Sequence, residues 1–341
     1  NGEWLAVPIT RVNEENELRL FNIASGALTV IDNGEDPAFS EDGGWLAYTL
    51  TAEEEEEEEE SANSGDEEAE QADEDEEEER NNLGISNLLT DEKQEFLNVE
   101  SFEFSAEGAH LLMARYSDDD TRSIVVKDLA GNSQMVFGNV SAWSWQDIGS
   151  KLAFTVHGED DVGNGVQLFE AASGQLRSLD SGDAKYAELS WRDDSSDLAV
   201  LRAIEDDDFE DESHHILAWL SLDDPSNTSR ESFELDPRAD NVIAADERIV
   251  AYRALSWADD SNSIFFGAKD WDLAEVADDE ESDDAEQAEA SDGDVENNID
   301  DLESAGMEIW KSTDIRTIVT QKYNEDEDEE KNDLLVWHLD S

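Results

Sequence analysis

One ten-residue pattern recurs along the chain, and it constrains the fold more than any other feature. It runs from an aromatic, through a polar stretch with Asp and Gly or Ser, into a short apolar strand. The copies are Phe39–Tyr48 (FSEDGGWLAY), Phe104–Met113 (FSAEGAHLLM), Trp145–Phe154 (WQDIGSKLAF), Trp191–Val200 (WRDDSSDLAV) and Trp257–Phe266 (WADDSNSIFF). Gly2-Glu3-Trp4-Leu5-Ala6-Val7 matches the tail of a sixth copy. Aligned positions lie 41, 65, 41, 46 and 66 residues apart. Without two long inserts the period is about 47 residues, inside the range of roughly 40–50 that marks repeated four-stranded sheets.

The pattern has a physical reading. An aromatic ends one strand. Asp and Gly make a tight turn, with Gly supplying the positive φ. Apolar residues then open the next strand. A second hairpin follows in most units, as in Leu18–Ile31, Ile124–Gly131 and Val166–Leu176, with Ser25-Gly26 and Ser173-Gly174 at turns. Each unit is thus a four-stranded antiparallel meander. A lone meander cannot bury both faces, and radial repetition solves that problem. The expected fold is all-β, a single-domain β-propeller over residues 1–341 with about six blades represented. Trp145, Trp191 and Trp257 share one repeat position and are read as blade-packing residues. A sandwich is the runner-up, but it does not produce six copies of one turn. The chain starts within one unit, at Trp4, and stops within another, at Leu334–Ser341, which reads as a third strand. The expectation is a fragment with about five complete blades and an incomplete ring of seven or eight.

Charge is the second constraint. The chain has 93 acids against 21 bases, a formal charge of −72. That argues against nucleic acid or an anionic membrane as partner, since both need basic surface. Residues 53–79 hold 19 acids and no base, and residues 272–303 hold 16 and no base. Such segments bury too little apolar surface to offset chain entropy, so 53–80 and 272–304 are expected to be disordered acidic insertions. Outside the acidic runs, acids still outnumber bases, which resembles adaptation to high salt. No apolar run reaches the length of a membrane-spanning helix. Without Cys there is no disulfide, thiolate metal site or Cys nucleophile.

Motifs for chemistry are missing. There is no Gly-x-Ser-x-Gly elbow, no His-Glu-x-x-His and no Walker loop. Gly163-Asn-Gly165 lacks the third glycine of a dinucleotide loop, because position 168 is Leu, and it reads as a hairpin turn. The ligand spacing around Asp160–Gly165 is wrong for an EF-hand. Of the five histidines, His110, His157, His214, His215 and His338, the neighbours His214 and His215 point to opposite faces of a strand and cannot chelate one ion. Paired carboxylates are too common here to signal glycosidase chemistry. No catalytic, cofactor-binding or metal-binding residue is assigned, and no cofactor is expected.

The repeated Ser-x-Asp-Gly-x-x-Leu-Ala pattern resembles the propeller repeat of TolB-like proteins and of prolyl-oligopeptidase-family serine peptidases. Met307-Glu-Ile-Trp310, Asp314, Gln321 and Val336-Trp-His-Leu339 are similar to a segment of large bacterial members of that peptidase family. The segment differs at Trp310-Lys-Ser-Thr-Asp314, where a His-Trp-Lys stretch stands in the family. The resemblance implies a non-catalytic propeller that gates and selects peptide substrates for a C-terminal α/β-hydrolase domain absent from these residues. It also implies a periplasmic or secreted protein. No triad residue of the family falls within this chain. The alternatives are a TolB-like scaffold for protein partners, and a propeller enzyme with its own site on the axis.

Overall fold

The computed structural model describes residues 2–10, 16–52, 80–131, 133–158, 162–205, 211–223, 232–240, 242–244, 246–259, 262–271 and 330–339. These residues form six antiparallel blades in chain order, carried by five sheets because the third and fourth blades share one seven-stranded sheet. Blade I holds β1 (Trp4–Ile9), β2 (Glu17–Asn22) and β3 (Leu28–Asp32). Blade II holds β4 (Gly34–Phe39), β5 (Trp45–Leu50), β6 (Asn82–Asn87) and β7 (Lys93–Phe96). Blade III starts with β8 (Val99–Phe104), β9 (His110–Arg115) and β10 (Arg122–Asp128). Its outer strand is the first half of β11 (Gln134–Trp145).

The second half of β11 is the inner strand of blade IV, followed by β12 (Lys151–Val156), β13 (Asn164–Glu170) and β14 (Gln175–Gly182). Blade V holds β15 (Tyr186–Trp191), β16 (Leu198–Ile204), β17 (Ser213–Trp219) and β18 (Ser232–Leu235). A short helix, α1 (Pro237–Asp240), follows. In blade VI the inner position is split into β19 (Glu247–Val250) and β20 (Ser256–Trp257), both paired to β21 (Ser263–Asp270). Strand β22 (Asp333–His338) pairs the other edge of β21, in the third position.

Among the described residues four blades are therefore complete, and blades I and VI each fill three positions. This corrects the expected five complete blades. Blade I lacks an inner strand and blade VI an outer one among these residues, so the ten-residue signature overcounts whole meanders. The sequence reading of 334–341 as a third strand agrees with β22. The acidic insertions 53–80 and 272–304 lie outside the described residues, apart from Arg80, as do Met307–Trp310, Asp314 and Gln321.

The core is five separate seams, each between consecutive blades. Leu18, Leu20 and Ile31 of blade I meet Leu46 and Tyr48 of blade II. Ala47, Leu83 and Ile85 meet Val99, Leu111 and Met113. The next three seams bring Ile124 against Phe154, Leu168 against Val200, and Ile216 against Phe266. The inner strand of one blade rests on the middle strands of the blade before, as β4 does on β1 and β2, and β15 on β12 and β13. Inner strands β11, β15 and β20 follow one another in contact around the axis.

The repeat is visible bond by bond. The N–H just past the third strand bonds the carbonyl just before the second strand in all six blades. The pairs are Ile23–Glu3, Leu88–Gly44, Leu129–Ala109, Ala171–Ser150, Leu222–Ser196 and Leu339–Asn262, at 2.8–3.1 Å. The turn glycines behave as the sequence requires, with φ of 67° at Gly43, 70° at Gly108 and 76° at Gly149. In blade V, Asp194 takes the left-handed conformation instead, at 51°.

Candidate functional site

The meander fixes which loops share an end. Connections from second to third strand all emerge at one end of the blades, together with the approaches to the inner strands. Segments 11–15, 53–79, 117–121, 159–161, 206–210 and 272–329 are all second-to-third connections. Both long acidic insertions, the run at 205–212 and Asp118-Asp-Asp120 are among them. The sequence shows the acid runs; only the strand order shows that the strand ends flanking them share one end of the blades.

The inner strands are irregular at that same end. Pairing shifts at Glu35/Ala38, Val99/Ser101, Val140/Ala142 and Ala187/Ser190, and the fifth inner strand is broken between β19 and β20. Asp36, Asn139 and Glu188 hold positive φ there. Such bulges re-aim side chains next to an axis.

Where blades V and VI meet on this face, a charged cluster bridges the seam. His214, buried on β17, places Nδ1 3.0 Å from the Ile249 carbonyl of β19. Its Nε2 lies 3.5 Å from a Glu212 carboxylate oxygen. In return the buried Arg248 donates to the Glu212 carbonyl at 2.7 Å and pairs with Asp211. The Arg248 guanidinium also stacks over Tyr252 and Trp271. The hydrogen bond to His214 holds the Glu212 carboxyl below its usual range, against the opposing effect of burial. Burial pushes Glu188, on the bulge of β15, upward, with His214 opposing.

A second network lies within blade V and on its border with blade IV. Arg202 pairs with Asp180 and Glu234, and His215 Nδ1 stands 2.8 Å from Glu234. Tyr186 donates to Asp180 at 2.9 Å, and burial raises its phenol well above the usual value.

The five histidines are thereby placed. His214 and His215 face opposite sides of β17, as strand geometry requires, and serve different networks. His157 Nε2 accepts from the Tyr186 amide at 3.2 Å. His338 Nδ1 lies 2.7 Å from Ser263 Oγ, a Ser–His contact whose serine is buried between strands. His110 is buried, and its Nδ1 has no hydrogen-bond partner. Among the described residues no group of three His, Asp or Glu is placed to hold a metal ion. Gly163 turns at φ 86° and leads into β13, so Gly163–Gly165 closes a hairpin. Sequence reading missed Arg248 and Glu212 as seam residues. Their signal is long-range, because the bonds span 36 and 37 positions.

The tryptophans act at the seams. Trp191 Nε1 donates to the Ser144 carbonyl at 3.0 Å, and Trp257 Nε1 to the Ser190 carbonyl at 3.1 Å. Each ties its inner strand to the residue just before the equivalent tryptophan one blade back. Trp145 packs in its own seam, but its Nε1 has no partner.

No protein-family model matches the chain, and no curated protein sequence matches it. Solved structures do. The β-propeller domain of the trilobed protease of Pyrococcus furiosus is 14% identical, with a TM-score of 0.41, covering 79% of this chain and 75% of that one. Porphyromonas gingivalis dipeptidyl peptidase 4 is 12% identical at a TM-score of 0.43, over 78% of this chain and 41% of that one. Acinetobacter baumannii TolB is 13% identical at 0.28, over 64% and 49%. The chain thus spans about two-fifths of the dipeptidyl peptidase's length, 41%. The propeller assignment itself rests on the six blades and their shared bond pattern.

Proposed function

We propose that this chain is a non-catalytic propeller that gates and selects peptide substrates for an α/β-hydrolase domain carried elsewhere in the same protein. The observation that carries the reading is the six-fold recurrence of one backbone bond. Its last copy is made by Leu339, just past β22, in the segment Val336-Trp-His-Leu339 through which the sequence resembles the peptidase family. The described histidines at the seams are spent on bonds between strands and blades, which suits a scaffold. Acid concentrated on one face adds selectivity. A cationic peptide approaching that end is drawn in and an anionic one repelled, and both effects weaken as salt screens the field.

The test uses the complete gene product. A fluorophosphonate probe is applied, and hydrolysis is followed for a basic peptide, an acidic peptide of equal length and a folded protein. The expected result is a single labelled serine outside residues 1–341. Both peptides are cut, the basic one faster at low salt, and the folded protein is left intact. Absence of a labelled serine sinks the reading and leaves a propeller scaffold for protein partners. Equal cleavage of the folded protein removes the gating role.

A further inference from the structure

Charge works against the inner position of blade VI. In place of one long strand it has β19, four residues long, and β20, two residues long. On β19, Glu247 stands directly across from Asp270, and Arg248 across from Lys269. Like charges in register weaken a strand pair. A second hold on β19 comes from blade V, across the seam. Part of that hold is Arg248 itself, which donates to the Glu212 carbonyl at 2.7 Å and pairs with Asp211. A guanidinium keeps its charge at any working pH, so this part does not titrate.

The other part is His214 of β17, whose side chain is 4% exposed. Its Nδ1 lies 3.0 Å from the Ile249 carbonyl of β19. A carbonyl can only accept, so Nδ1 carries a proton. Its Nε2 lies 3.5 Å from a Glu212 carboxylate oxygen. That carboxyl is held below its usual range by this contact, against burial, with Lys185 and Arg248 adding to the effect. It is therefore ionised near neutrality and also can only accept. Both ring nitrogens face acceptors, and a neutral ring has one N–H to offer. The imidazolium satisfies both, whereas the neutral ring turns the Nε2 lone pair toward a carboxylate. Three elements supply the surrounding charges. Glu188, on the bulge of β15, and Glu212 favour the charged ring. Lys185, just before β15, and Arg248 of β19 oppose it, the latter offset by its pair with Asp211. Burial of the ring opposes it as well.

We propose that His214 is a proton-operated latch between blades V and VI. As an imidazolium it ties β19 to β17 through the Ile249 carbonyl and the Glu212 carboxylate, and on losing the Nε2 proton it releases that end of the seam. The bond is thus present at low pH and lost as pH rises. The release is local. The apolar part of the seam, with Ile216, Ala218 and Phe266, has nothing to titrate and stays closed. What loosens is the short inner segment at the end of the blades that carries the acid-rich connections.

The complete gene product is followed by amide exchange from about pH 5.5 to about pH 8.5, each rate being divided by that of the same peptide in the unfolded chain. Protection across Glu247–Val250 is expected to fall by about tenfold or more over this range relative to Lys151–Val156 of blade IV, the scale of one charge-assisted bond. His214→Gln keeps an amide donor but cannot titrate, and is expected to make this ratio flat. Glu212→Gln removes the charge but leaves the carbonyl that Arg248 uses, and is expected to do the same. The His214 ring nitrogens, assigned in the unsubstituted protein through their contact with Ile249, are expected to carry two protons at the acid end and one at the alkaline end. A ratio that is flat in the unsubstituted protein overturns the proposal, and so does a fall that survives in both variants. A proton count that does not change across the range overturns it even if neither variant folds. None of these readouts depends on a hydrolase domain.

Discussion

At the scale of single residues, one repeat position gives a matched comparison. Trp191 and Trp257 each spend an indole N–H on a backbone carbonyl one blade away, whereas Trp145 leaves its N–H buried and unpaired. A buried hydrogen bond contributes about 1 kcal/mol net, while deleting an unsatisfied donor costs nothing of that kind. Trp191→Phe and Trp257→Phe are therefore expected to lose about 1 kcal/mol more stability than Trp145→Phe, measured by denaturant unfolding. Equal losses in all three would show that ring packing alone matters. His110 supplies a pH prediction. Burial lowers its affinity for a proton, with Asp128 and Glu107 opposing. The unfolded chain therefore takes up the proton first, so stability is full above about pH 6.5 and falls as pH drops below it. His110→Gln should flatten the acid side of the melting curve; an unchanged slope would assign that loss to other groups.

At the scale of elements, the turn from the inner to the second strand is more than a hairpin. Gly108 sits at φ 70°, and a Cβ there would lie 2.9 Å from the Glu41 amide nitrogen and 3.0 Å from Ser40 Cβ, both in the turn of the preceding blade. Gly108→Ala combines left-handed strain with this contact and is expected to cost about 1–3 kcal/mol, more than Gly26→Ala, which carries the left-handed strain alone because nothing lies within 4 Å of its Cβ position at φ 71°. The strands, the turns and the blade-packing aromatics were legible in the sequence because each depends on neighbours within one ten-residue window. The count of complete blades was not, since inner and outer strands carry no such signature. Nor was the Glu212–His214–Arg248 bridge, whose partners meet only once blades V and VI are stacked. The third-strand hairpins also use a device the Ser-Gly pairs hid. Asn22, Asn87 and Asp128 cap their turns through side-chain oxygens, each accepting two amide or hydroxyl donors.

At the scale of the whole molecule, charge and topology act together. Strand order anchors the ends of the acid-rich connections at one end of the blades, and the chain as a whole carries −72, so self-repulsion opposes its compact state. The melting temperature is expected to climb steeply between low and molar salt as that repulsion is screened. A flat response would mean that the acidic segments lie too far from the blades to strain them.

Five seams hold neighbouring sheets together, but they are not alike. Four are crossed by side chains and a connecting loop. The seam between blades III and IV is also crossed by β11, in which Val140 pairs with Arg122 on one side and Val156 on the other. Its backbone ladder runs unbroken through seven strands. Separating those two blades means tearing a strand, not merely wetting an apolar surface. The smallest piece that can leave the array intact at this point is thus a pair. Native-state exchange should find blades III and IV opening as one cooperative unit, with Gln134–Trp145 among the last amides to be surrendered.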